Sequence, residues 1–106
     1  MLAMPALAAA QTTTTTADQE LAHFRSQIDA IDDQIVDLLS RRGSIVREVG
    51  RMKKRLSLPV AAPGREKQVL DRVGLRAARG PLPPELIQKI YKAIITEMSA
   101  WEAANQ

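Results

Sequence analysis

From Leu21 onward the apolar residues of this chain fall three and four apart: Leu21, Phe24, Ile28, Ile31, Ile35, Leu38, then Ile45, Val49, Met52 and Leu56. Spacing of this kind, sustained over five heptads, predicts one long helix with a coiled-coil-like face. Such a helix would be roughly 55 Å long, at about 1.5 Å per residue. That is more stripe than a three-helix chain of this size covers by itself. One seam position, between Leu38 and Ile45, is not apolar but Arg42. Thr16 followed by Gln19 resembles a capping box and places the start of the helix near Thr16.

LSLPVAAPG, residues 56–64, breaks the pattern with Pro59, Pro63 and Gly64. A second helix is predicted from about Arg65 to Arg79, with Val69, Leu70, Val73 and Leu75 as its apolar contacts. GPLPP ends it: Gly80 suits a C′ position, and Pro84 suits the first turn of a third helix running to Ala104. Leu86, Ile87, Ile90, Tyr91, Ile94, Ile95, Met98 and Trp101 line one broad face of that helix. No alternating strand pattern occurs. The predicted fold is all-α, one long helix and two shorter ones, paired with a second copy as an intertwined homodimer.

Length and composition sharpen this picture. At 106 residues the chain has room for one domain with a modest core, which favours association. It lacks cysteine, and its single histidine, His23, cannot make a zinc site alone. The formal net charge of +3 suits an anionic partner. MLAMPALAAAQ ends like a signal-peptidase site but lacks a basic n-region and a long apolar core. The threonine run at 12–16 is low-complexity. Residues 1–17 are therefore expected to be disordered or signal-like, and 18–106 to form the domain. The cytoplasm is preferred over an exported location, and no segment is long enough to span a membrane.

Polar residues on the apolar faces carry the chemical signal. A single arginine on a seam can snorkel to water, but Arg42 has company. Lys53 lies eleven residues on, about three turns and 16 Å along the axis, so both project in nearly the same direction. The second helix opens with Arg65 and Glu66, and the third carries Glu102 on the face of Met98 and Trp101. Charges converging on an apolar interior need a ligand or a counter-charge. Arg25 lies seventeen residues before Arg42, about 25 Å along one helix, too far for one small ligand to touch both. Antiparallel pairing of two long helices would bring Arg25 of one copy to the Arg42–Lys53 region of the other.

FRSQIDAIDDQIVDLLSRRGSIVREVGRMK, then PGREKQVLDRV, then LIQKIYKAIITEMSAWE, together resemble the all-helical, type II chorismate mutases, from about Leu21 to Glu102. The resemblance implies an intertwined dimer whose two sites each borrow an arginine, with chorismate as a dianionic substrate and no cofactor or metal. It implies that Arg25 is the borrowed arginine and that Arg42 and Arg65 grip carboxylates from within the chain. Lys53 would donate to the ether oxygen, and Glu66 would hold the ring hydroxyl. Glu102 falls where the family carries Gln or Glu, facing the same oxygen. Ala62 and Met98 depart from relatives that have Asp and Ser there. Ser99 is next door, yet one residue along a helix points about 100° away.

Two other readings compete. Isochorismate-pyruvate lyases share the fold, the arginines and the lysine; the V-G-x-x-K step and the R-E pair favour the mutase. A non-enzymatic basic dimer would use RMKKR, residues 51–55, on nucleic acid. It would leave Arg42 on the seam and the Arg65–Glu66 pair unexplained, so neither nucleic acid nor membrane is an expected partner. Gly50, inside the long helix, is read as a point of close helix approach rather than a hinge.

Overall fold

A computed structural model describes the backbone from Met4 to Gln106 and the side chains from Thr15 onward. Of residues 1–17, expected to be disordered or signal-like, the first three lie outside the described backbone and the first fourteen outside the described side chains. Among the described residues there are three helices: α1, Met4–Arg55; α2, Pro63–Ala77; α3, Pro84–Ala104. Two compact units divide the chain, Met1–Ser40 and Arg41–Gln106. Among the described residues no helix is long and apolar enough to cross a membrane.

α1 begins earlier than the capping-box reading placed it, so Thr16 is helix interior and not an N-cap. The Ala-rich run before the threonines has high helix propensity, which a reading weighted toward capping residues passes over. In the first unit Leu21, Phe24, Ile28, Ile31, Ile35 and Leu38 are between 45% and 58% exposed. A single helix offers this stripe nothing to pack on.

In the second unit Val69 and Val73 of α2 meet Ile95 of α3 as the buried core. Leu70, Ile87 and Tyr91 pack against it. Val69 and Val73 are four apart, as are Ile87, Tyr91 and Ile95, so each set shares one helix face. Leu75, expected among these contacts, is 78% exposed. It lies two residues past Val73, about 200° around the helix. Gly74 is buried where the helices come together: a Cβ there would stand 2.6 Å from Gln88 Nε2, which donates to the Leu70 carbonyl at 3.0 Å.

The helix ends are set by backbone chemistry. α1 closes in a Schellman arrangement, with Leu58 N donating to Lys53 O at 2.7 Å and Ser57 N to Lys54 O at 3.2 Å. Ser57 holds the left-handed conformation this requires, φ 56°. At the end of α2 the expected left-handed Gly80 is not found; no described glycine has positive φ. Instead Ala78, Arg79 and Gly80 donate in turn to Leu75, Arg76 and Ala77 carbonyls, tightening the last turn. Pro63 and Pro84 sit in the first turns of α2 and α3, where a missing N–H costs nothing. Ala62 is the N-cap of α2 and supplies no side-chain acceptor.

Two substitutions should each stabilise the fold by about 1 kcal/mol. Ser57→Gly removes the steric penalty of the left-handed conformation. Ala62→Asp gives α2 the cap it lacks. Denaturant midpoints at fixed protein concentration check both; an unchanged or lower midpoint contradicts the assigned end geometry.

Candidate functional site

The inward side of the second unit holds a cavity of about 290 Å³, the size of a small-molecule site. Arg42 and Lys53 reach it from α1, Arg65 and Glu66 from the first turn of α2, and Glu102 from the end of α3. These are the sequence-predicted site residues of this unit, and the fold brings all of them to one cavity. Arg25 belongs to the first unit and is not among the lining residues. Buried Val69 and Ile95, with Ile45 and Val49, give the cavity apolar walls.

Lys53 is the best-held group. Its Nζ donates to Glu102 Oε2 at 3.0 Å and to the Val60 carbonyl at 2.8 Å. The Lys53 and Glu102 side chains are only 16% and 7% exposed. The Schellman turn makes this possible, because it folds residues 56–62 back along the helix end and presents Val60 O to the side chain one turn earlier. An ammonium has three donors; among the described residues two of them find acceptors.

Arg42 Nη1 lies 3.0 Å from Met98 Sδ, a weak acceptor. Among the described residues no carboxylate lies within ion-pair distance of Arg42 or Arg65. Glu66 faces Lys92 at 3.9 Å, with both side chains substantially in solvent, a pair that contributes little. The cavity thus carries two guanidiniums without an anion, one ammonium held by a buried carboxylate, and a second carboxylate only loosely engaged. That set is chemically suited to a small organic dianion, since guanidinium forks match carboxylates.

Three features escaped the sequence. The Val60 carbonyl leaves no mark in a side-chain pattern. Ser99, expected to point away, lines the cavity beside Met98, because a cavity at the side of a helix spans more than one residue's arc. Lys92, three turns from the end of α3, shows its role only once α2 and α3 are docked. Gly50 behaves as read: it is buried under the end of α3.

The family model described as chorismate mutase type II matches residues 24–103. A T-protein of Enterobacter agglomerans is 37% identical over 78 residues, covering 74% of this chain and 21% of the relative. A 4-amino-4-deoxychorismate mutase of Streptomyces venezuelae is 35% identical over 83 residues, covering 78% and 81%. The structure of a chorismate mutase (form II) from Thermus thermophilus superposes with a TM-score of 0.76 at 33% identity, covering 79% of this chain and 94% of that one. The chain therefore spans about a fifth of the T-protein and most of the two shorter relatives.

Removing one member of the buried pair strands the other. Lys53→Met should cost about 3 kcal/mol of stability at neutral pH, and Lys53→Met combined with Glu102→Met should cost less than either single change. Denaturation of the four proteins reads this directly. A double variant that loses the sum of the single losses contradicts a coupled pair.

Proposed function

The chain belongs to the chorismate mutase type II family, and on that premise we propose that it rearranges chorismate to prephenate in the Arg42–Lys53–Arg65–Glu66–Glu102 cavity. One observation supports this above the others: Lys53 is fixed by two acceptors and keeps one N–H unspent. The rearrangement is intramolecular. A carbon–oxygen ether bond breaks while a carbon–carbon bond forms, and no nucleophile or proton transfer is needed. The protein's tasks are to hold a compact, chair-like dianion and to stabilise the charge that grows on the ether oxygen.

In this reading Arg42 leaves Met98 to take a substrate carboxylate, and Arg65 adds a second cation at the rim. Lys53 gives its remaining N–H to the ether oxygen. Glu102 holds Lys53 in place through Oε2, and Glu66 accepts from the ring substituent. Glu66 would accept from an amino group as well as from a hydroxyl, so the substrate named for the Streptomyces relative is the second reading, and both compounds belong in the assay. The named relatives favour a mutase over the isochorismate-pyruvate lyase.

A second copy completes the site. The exposed apolar stripe of the first unit is larger than a stable monomer leaves in water, and a homodimer covers it. We assign Arg25 of the second copy to the other substrate carboxylate. The cytoplasm is the compartment we favour, and the N-terminus of native protein read by mass spectrometry decides between it and export.

Purified protein should consume chorismate and yield prephenate, with isochorismate and 4-amino-4-deoxychorismate turned over more slowly. Product identification by mass spectrometry checks the ranking, and absence of prephenate contradicts the proposal. Arg25→Ala and Arg42→Ala should each lower kcat/KM by about 100-fold or more, the loss of a charge-assisted contact to the reacting dianion. Mixing the two variants, with subunit exchange confirmed by tagged chains, should restore part of the activity. Exchange without recovery would place each site within one chain.

A further inference from the structure

Gly50 occupies the interior of α1, three residues before Lys53, in a setting where glycine is the poorest helix former after proline. The reason for it lies on α3. A Cβ built at Gly50 would stand 2.8 Å from Glu102 Cγ and 3.7 Å from Glu102 Cδ. Real carbon atoms do not approach that closely without displacement. The Glu102 side chain therefore lies directly across the bare Cα of Gly50. One turn further along the chain, Gln106 Nε2 donates to the Gly50 carbonyl at 3.1 Å. Lys54 Nζ donates to the Gln106 carbonyl at 3.2 Å. Gln106 is thus tied to α1 at Gly50, where Glu102 crosses, and one turn further on at Lys54.

The other glycines differ. A Cβ at Gly43 would meet the Trp101 ring at 3.9 Å, an ordinary contact, and one at Gly64 would meet nothing. At Gly74 the near atom is the terminal nitrogen of Gln88, held by one hydrogen bond between neutral groups, to the Leu70 carbonyl. At Gly50 the near atom is the middle of a side chain anchored at both ends, by its own helix and by Lys53. It cannot move without releasing the ammonium.

We infer that Gly50 is a positioning residue for the reaction: its missing side chain sets where Glu102 lies, and Glu102 sets where Lys53 points its remaining donor. The inference rests on the mutase reading for its catalytic consequence. The contact through Glu102 stands apart from it and is tested separately. Because the Lys53 donor is aimed at charge that develops during bond breaking, its misplacement should appear in kcat more than in KM.

The test is a double-mutant cycle on the full chain: wild type, Gly50→Ala, Glu102→Ala and Gly50→Ala with Glu102→Ala, each read by steady-state kinetics on chorismate and by thermal melting. Gly50→Ala should lower kcat at least about tenfold while KM changes no more than about threefold. It should also lower Tm. In the Glu102→Ala background Cγ is gone, so the added methyl should change kcat by less than about twofold and should raise Tm, alanine being the better helix former. If Gly50→Ala alone fails to fold, the double variant should fold. Gly50→Ala with wild-type kcat, an equal loss in both backgrounds, or a double variant that also fails to fold would each overturn the inference. Wild type without mutase activity would refute the proposed function instead, and the opposite signs of the two Tm changes would still report the contact.

Discussion

Glu102 is the charged residue that this fold buries, at 6% exposure among the described residues. A carboxylate placed there is expensive unless a cation and further hydrogen bonds accompany it. Lys53 is the cation, and several features of the second unit serve to bring it there. The helix pitch carries Lys53 round to the side of Arg42. The left-handed turn at Ser57 returns the chain so that Val60 O caps the ammonium. Gly50 clears the space through which Glu102 passes. An apolar pair of the same volume would be no worse for stability, so retaining charge here makes sense as chemistry. The pair presents a fixed cation, with one donor to spare, inside a cavity with apolar walls.

The second constraint is the thinness of the core. Val69, Val73 and Ile95 are the buried apolar residues described, while the seam of α1 and parts of α3, Ile90 and Leu86 among them, stay largely in water. A short chain with so few buried apolar residues gains most from burying its seam against another surface. Under the proposed function, a second copy would both cover the seam and bring its Arg25 to the site, so one interface would serve stability and charge together.

Much of this was legible in the residue pattern. Three-four spacing gave α1 its face and exposed Arg42 as the departure from it. The eleven-residue step to Lys53 is a matter of helical pitch. Pro84 marked the start of α3, and the bounds of that helix agree with the expectation. α2 begins and ends two residues earlier than expected, because Pro63 opens it and its last turn tightens instead of closing on Gly80. The roles of Arg65, Glu66 and Glu102 came from family resemblance, since nothing in their spacing alone brings three helices to one point. What remained hidden was tertiary: a backbone carbonyl at Val60, the cavity-facing side of Ser99, and the distance between Gly50 and Glu102. Each depends on how closely two helices approach, which side-chain periodicity does not encode.

Under the proposed function the spare donor of Lys53 meets the ether oxygen of a dianion held by arginines. The most direct measurement is a crystal structure of the protein with a rigid bicyclic ether dicarboxylate shaped like the chair-like transition state. The ligand's ether oxygen should lie about 3 Å from Lys53 Nζ, with Glu102 still on Lys53, one carboxylate on Arg42 in place of Met98 Sδ, and the other on Arg25 of a second copy. A ligand bound away from Lys53, or bound with its ether oxygen turned from it, would rule out Lys53 as the donor.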